Sequence, residues 1–230
     1  MRRTLLSALV SLGFVGTAAA QAPTYPGAPA APPPADAGPP AASTTVVVVQ
    51  RPQLATIVIE DLPERCKLLA KRTSAASLAL QLSSRIALAT CLADARSAPL
   101  QLIDGPESVL ALEQAAEQAF AILDNVAEVG DPAVKILALR AKADLYAAMA
   151  ARMASTVPPA ASATPEAAGL RDTRRQIVEG MTMPWRERGR ELHEAIVELG
   201  RRNPQLARNA VAQSAIRDSE RQLAVPVATR

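Results

Sequence analysis

Aromatic side chains are scarce in this 230-residue chain, which has one Trp, two Tyr and two Phe, together 2% of its residues. Apolar residues nonetheless make up 49% of the sequence, so a core must be built from Ala, Leu, Val and Ile. A core rich in Ala and Leu and poor in aromatic residues suits closely packed helices, whereas strands are enriched in aromatic residues. The composition predicts an all-α protein of antiparallel helical hairpins, packed as a bundle or a short solenoid.

Histidine is also scarce, and His193 is the only one. A zinc site needs several His or Cys ligands, and a nucleophile triad would have to use this one imidazole as its base. The sequence contains neither a Gly-x-Ser-x-Gly motif nor a glycine-rich phosphate loop. We therefore expect no catalytic residue, no cofactor, no metal site and no enzymatic activity.

A strong excess of positive charge is missing as well, because the formal net charge is only +3. The Arg-rich stretch from Arg171 to Arg221 holds eleven Arg but also eight acidic residues. Its one aromatic residue, Trp185, cannot provide a series of stacking platforms for bases. The sequence argues against nucleic acid as a partner.

The N-terminus has the features of an export signal. A basic start, Met1 to Arg3, precedes an apolar stretch from Leu5 to Val15, and Ala18-Ala19-Ala20 fits the small-residue cleavage rule. The apolar stretch is well short of the roughly 20 residues that span a bilayer as a helix. We expect a signal peptide over residues 1–20, cleavage near Ala20, a periplasmic or secreted mature protein and no transmembrane segment after cleavage.

Several segments lack a helical pattern. Residues 21–43 are almost wholly Ala, Pro and Gly and predict a disordered linker; 154–169 predicts a flexible Pro/Ala loop, and 224–230 a tail. The β-branched runs in residues 44–60 predict a β-prone segment. A lone hairpin is marginally stable, so this segment must pack on the helices, pair with another chain or stay disordered.

The first part of the helical domain covers residues 61–153. Pro63 and Glu64 begin a helix with Leu68 and Leu69 on its buried side, and a second helix passes through Leu88 and ends near Pro99. Next comes a hairpin whose turn is Gly130-Asp131-Pro132. Its expected buried positions are Val109, Leu112, Ala116, Ala119, Leu123 and Val126, facing Val134, Ala138, Ala141, Leu145 and Ala148. The first helix of this pair is acidic and the second is basic, which favours their pairing.

The second part covers residues 170–223. A helix from Leu170 to Met181 carries Leu170, Ile177 and Met181 on one side, and Pro184 is expected to begin a new helix. Asn203-Pro204 predicts the start of a last helix, whose weak apolar face suggests a peripheral position.

Cys66 and Cys91 are the only cysteines, and export would place them in an oxidising compartment where an even pair usually forms a bridge. On one continuous helix they would lie about 37 Å apart, far beyond disulfide reach. A disulfide between them therefore requires a chain reversal.

Methionines and aromatic residues form a candidate apolar interaction surface. Thioethers can line a groove for a partner helix or bind Cu(I), and they also fill gaps in cores. The residues of this candidate surface are Phe120, Tyr146, Met149, Met153, Met181, Met183 and Trp185.

Between Glu107 and Met153, Ala116 and Phe120 stand at one-turn spacing and Gly130-Asp131-Pro132 forms the turn between two helices. In these features the chain resembles tetratricopeptide-like helical-hairpin proteins of the bacterial cell envelope. It implies protein or peptide binding on a concave face. We expect an interaction or scaffold module that binds another envelope protein; the alternative is a carrier or chaperone that encloses an apolar ligand.

Overall fold

The computed structural model describes residues 53–158 and 164–225, and it confirms the all-α prediction. Within these ranges the helices are α1 Glu64–Arg72, α2 Leu78–Ser97, α3 Pro106–Val129, α4 Pro132–Ala154, α5 Pro165–Arg202 and α6 Ala210–Ala224, with a 3-10 helix at Pro204–Arg208. The described residues contain no β-strand. The predicted signal peptide, the 21–43 linker, residues 44–52 and most of the tail lie outside these ranges.

Each helix packs against the next one along the chain. α4 is central, because it also contacts α2 and α6, while α3 and α5 barely touch each other. Most of the packing therefore joins helices that follow one another in the chain, and the six described helices form one helical bundle. Three groups of buried side chains result: one among α1 to α4, one among α3, α4 and α5, and one among α4, α5 and α6.

The turn between α3 and α4 forms as the sequence predicts. Asp131 caps α4, since its Oδ1 accepts a hydrogen bond of 2.9 Å from the Val134 backbone N–H. Position 130 requires glycine for steric reasons. Its φ of −71° suits any residue, but a Cβ there would lie 2.6 Å from Val134 Cγ1 and 2.8 Å from the Val126 carbonyl oxygen. The turn thus reverses the chain within two residues.

Two contacts fix the antiparallel register of α3 and α4. Lys142 Nζ lies 2.6 Å from Asp124 Oδ1, and the rings of Phe120 and Tyr146 stack four residues further along, with centroids 4.7 Å apart. The acidic and basic helices are therefore joined by an ion pair. Arg140 instead pairs with Asp144 on its own helix.

Two expected core positions are wrong. Leu68 is 63% exposed, and Cys66 and Ala70 face the core of α1 instead. Ala148 is exposed, whereas Ile136, one of the side chains that the seam pattern leaves out, is fully buried. The reason is that α4 has neighbours on several sides, so its buried residues do not form one stripe.

The predicted break at Pro184 is also wrong. α5 begins at Pro165, inside the expected loop, and runs through Pro184 without interruption. A proline inside a helix removes one backbone hydrogen bond, and here buried side chains on either side hold the helix together. Val178, Thr182 and Trp185 are buried, and the Thr182 hydroxyl donates to the Val178 carbonyl oxygen at 2.9 Å.

The apolar residues expected on one side of α5 face solvent. Leu170 is 65% exposed and Ile177 is 51% exposed, while Met181 is half-buried. The exposed part of α5 is tied to the connection between α2 and α3 by Arg174, whose Nε lies 2.8 Å from Asp104 Oδ2.

The last helix begins later than predicted. Asn203-Pro204 starts the 3-10 helix, and Asn209 caps α6 by accepting a hydrogen bond of 3.0 Å from the Ala212 backbone N–H. α6 packs against α4 and α5 with Ala212, Ala215 and Ile216 buried. A Cβ at Gly200 would lie 2.8 Å from Ile216 Cδ1, so the absence of a side chain lets α6 approach α5 closely.

Residues 53–60 have no regular secondary structure and pack on the helices, one of the three alternatives for the β-prone segment. Leu54, Ile57 and Ile59 pack against the first core group. Asn125 on α3 accepts from the Ala55 backbone N–H at 2.9 Å and donates to the Gln53 carbonyl oxygen at 3.0 Å, while Arg85 donates to the Ala55 carbonyl oxygen at 2.8 Å. These side chains hold the backbone itself.

Replacing Asn125 with Ala is expected to release residues 53–59 from α3. The change removes two hydrogen bonds, worth about 1 to 2 kcal/mol together, so amide exchange in this segment should accelerate roughly tenfold. Hydrogen exchange followed by mass spectrometry measures this, with Gln114→Ala on the exposed side of the same helix as the control. Unchanged exchange in 53–59 would show that the apolar contacts and the Arg85 hydrogen bond fix the segment without Asn125.

The cysteine pair forms a disulfide in the structure. The chain reverses between α1 and α2 and brings the Cα atoms of Cys66 and Cys91 to 5.9 Å, within the range of about 4.4 to 6.8 Å that bridged residues show. The bond joins the first helix to the rest of the helical bundle, and Cys66 is completely buried.

Candidate interaction groove

The central helix, α4, lies under an open groove between α3 and α5. The groove has a volume of about 470 Å³ and is lined by Glu113, Gln114, Glu117, Phe120, Ala121, Asp124, Tyr146 and Arg188. The stacked rings of Phe120 and Tyr146 form its floor. The wall is the exposed side of α3, because residues 113, 117 and 124 follow one another at helical spacing and share a face.

Cations approach both rings of the floor. Lys142 Nζ lies 5.7 Å from the centroid of Phe120, and the Arg188 guanidinium carbon lies 6.0 Å from the centroid of Tyr146. Both distances are within the range in which cations are attracted to aromatic faces. Lys142 also pairs with Asp124 on the wall, so its charge is shared between the ring and the carboxylate.

Trp185 connects the two sides of the groove from below. Its ring is 1% exposed, and its Nε1–H donates a hydrogen bond of 2.9 Å to Glu113 Oε1. A buried indole needs a partner for its N–H, and this bond fixes the carboxylate of Glu113 against α5. The groove therefore has a positioned wall as well as an aromatic floor.

The seven residues of the predicted apolar surface do not form one surface. Phe120 and Tyr146 line the groove, but Tyr146 is largely buried and belongs with Met149, Met153 and Trp185 to the core group among α3, α4 and α5. Phe120 and Met181 pack against this group. Met183 is 55% exposed and lies outside that group. Filling a core that has few aromatic residues explains most of these positions.

Sequence reasoning missed the charged residues of the groove. Glu113, Glu117 and Asp124 were visible as acids on one helix, but their charge was assigned to pairing with α4. Asp124 alone of these three makes an ion pair within the described ranges. No sequence pattern singled out Arg188. It reaches the ring of Tyr146 because α5 continues through Pro184, which the sequence did not predict.

A pocket on the other side of α3 and α4 is small by comparison. A narrow cavity of about 40 Å³ lies between α2, α3 and α4, lined by Leu112, Ala116, Leu145 and Met149 among others. Sites that enclose small molecules typically have about 300 to 1,000 Å³. In residues 53–158 and 164–225 this cavity therefore offers no room for the apolar ligand of a carrier.

His193 is half-buried between α5 and α6. Its Nδ1 lies 3.1 Å from the Ser219 hydroxyl oxygen, and that hydroxyl donates to the Ala215 carbonyl oxygen at 2.9 Å. When the hydroxyl donates to Ala215, the His193 tautomer that completes the pair carries its hydrogen on Nδ1 and donates it to Ser219. In the described part of the chain, no three His, Cys, Asp or Glu side chains are grouped as metal ligands.

The His193 environment makes a pH dependence testable. Burial and, secondarily, the charge of Arg140 lower the pKa of His193, while Asp144 acts in the opposite direction. A folded-state pKa below the unfolded value of about 6.5 means that the unfolded chain binds the proton more tightly. The His193 contribution to stability is therefore present above that pH and is lost as the pH falls below it.

We expect the free energy of unfolding to fall more steeply in the wild type than in His193→Gln between about pH 7.5 and pH 5. Urea titrations across this range measure the difference, and Gln keeps an N–H donor for Ser219. Parallel pH profiles for the two proteins would contradict the prediction.

In comparisons with known proteins, no family model, no curated protein and no solved structure matches this chain. None of the helices in the described ranges is long and apolar enough to cross a membrane.

Proposed function

We propose that this protein is an exported, non-enzymatic interaction module that binds another protein of the bacterial periplasm or cell envelope. The observation that carries the proposal is the open groove over α4, whose aromatic floor and charged wall belong to three consecutive helices. An amphipathic groove of this kind suits a peptide segment, which can lay apolar stems on the rings and place polar groups against the carboxylates.

Export is supported by the N-terminal sequence and by the Cys66–Cys91 disulfide. Small residues precede Gln21 as a signal peptidase requires, and disulfides persist mainly outside the cytoplasm. N-terminal sequencing of the protein from an extracytoplasmic fraction should give a chain that begins at or near Gln21. A mature chain that keeps Met1 would contradict export by this route.

Site-specific photo-crosslinking tests the interaction. A photo-reactive amino acid at Gln114, which lines the groove, should crosslink to one discrete protein in intact envelopes. The same amino acid at Glu220, an exposed position on α6, is the matched control and should give none. Equal crosslinking at both positions, or none at Gln114, would contradict the proposal.

A further inference from the structure

The wall of the groove has charge of one sign. α3 carries Glu107, Glu113, Glu117, Asp124 and Glu128 and has no Lys or Arg between residues 106 and 129. Three of these carboxylates line the groove. A partner that presents phosphate groups or carboxylates would be repelled here.

The cations supplied by the protein itself do not balance this wall. Lys142 is engaged by Asp124, and Arg188 lies over Tyr146. Glu113 accepts from the neutral N–H of Trp185, and Glu117 makes no ion pair within residues 53–158 and 164–225. The groove therefore presents Glu117, beside Glu113, to whatever enters it.

We propose that the groove docks an Arg- or Lys-bearing peptide segment of a partner protein. The inference rests on the proposed function and adds the chemistry of the partner. The cationic head of an incoming side chain pairs with Glu117, and its aliphatic stem lies along the floor next to Phe120. Arg is favoured over Lys, since a guanidinium can bind a carboxylate through two parallel hydrogen bonds.

Peptides of defined charge test this assignment on the full-length mature protein. A short fluorescent peptide of alternating Arg and Ala should bind with an affinity that falls as salt is added, and an alternating Glu and Ala peptide should not bind. Glu117→Lys reverses one charge on the wall and should weaken binding of the Arg peptide roughly tenfold. Glu220→Lys makes the same change on α6 and should alter binding by less than about twofold.

Three results would overturn the proposal. The first is that the Arg peptide does not bind. The second is that the two variants weaken its binding equally, as a general charge effect would. The third is that the protein self-associates through the groove and that Glu117→Lys abolishes this, because the occupant would then be a second copy of the chain. Glu117 and Glu220 are both exposed, so neither variant is expected to change the fold, and circular dichroism checks this. A crosslink at Gln114 without binding of the Arg peptide would reject the partner chemistry alone, whereas the loss of both would reject the interaction module too.

Discussion

Removing the disulfide by replacing both Cys66 and Cys91 with Ala is expected to lower the free energy of unfolding by roughly 3 to 4 kcal/mol. The bond joins two residues that are 25 positions apart in the sequence. Without it, the unfolded chain regains the conformational entropy that the closed loop removes, so unfolding becomes more favourable. For a protein of this size, such a loss corresponds to a fall in thermal midpoint of roughly 6 to 16 °C. Denaturation followed by far-ultraviolet circular dichroism measures both quantities.

Reduction of the wild type provides the control for this variant. Dithiothreitol should destabilise the wild type by a similar amount and leave the double variant unchanged, because only the wild type has a bond to reduce. A variant within about 1 kcal/mol of the oxidised wild type would contradict the prediction. So would two reactive thiols in wild-type protein that has been unfolded without reductant.

Replacing Trp185 with Ala is expected to destabilise the protein by about 3 to 5 kcal/mol. The side chain is the largest of the fully buried ones in the described ranges, and it packs where α3, α4 and α5 meet. Truncation leaves a cavity and also removes the hydrogen bond that holds Glu113. Urea unfolding of the variant beside the wild type measures the change.

Two companion variants divide this effect into its parts. Trp185→Phe keeps a ring but loses the N–H and should cost about 1 to 2 kcal/mol, while Glu113→Gln keeps an acceptor and should cost less than about 1 kcal/mol. If Trp185→Ala is no more destabilising than Trp185→Phe, packing at this position is not the main contribution.

Local signals predicted the fold well wherever the chain itself determines the geometry. The α3–α4 hairpin follows from Gly130, Asp131 and Pro132, which act on their immediate neighbours, and from a periodic apolar seam. The disulfide was predicted from the cysteine count and from the expected export. Such features need no knowledge of what packs against them.

Features that depend on neighbouring helices were harder to predict. Pro184 has the local chemistry of a helix start, but the burial of Val178, Thr182 and Trp185 keeps α5 continuous. Several helices bury residues of α4 at once, so the assumption of a single buried stripe wrongly placed Ala148 in the core. The groove escaped prediction for the same reason: its floor, wall and Arg188 come from three helices, and the resemblance to helical-hairpin proteins implies a concave face without specifying these residues.

The attachment point of the N-terminal residues has a consequence for the groove. Asn125, which holds Gln53 and Ala55, is the direct neighbour of Asp124 on the acidic wall. The described segment that begins at Gln53 is thus held beside the groove, so a partner that extends out of the groove on this side meets the segment as well. A partner that engages both places at once would gain avidity, and Asn125→Ala would reduce it without changing a residue that lines the groove.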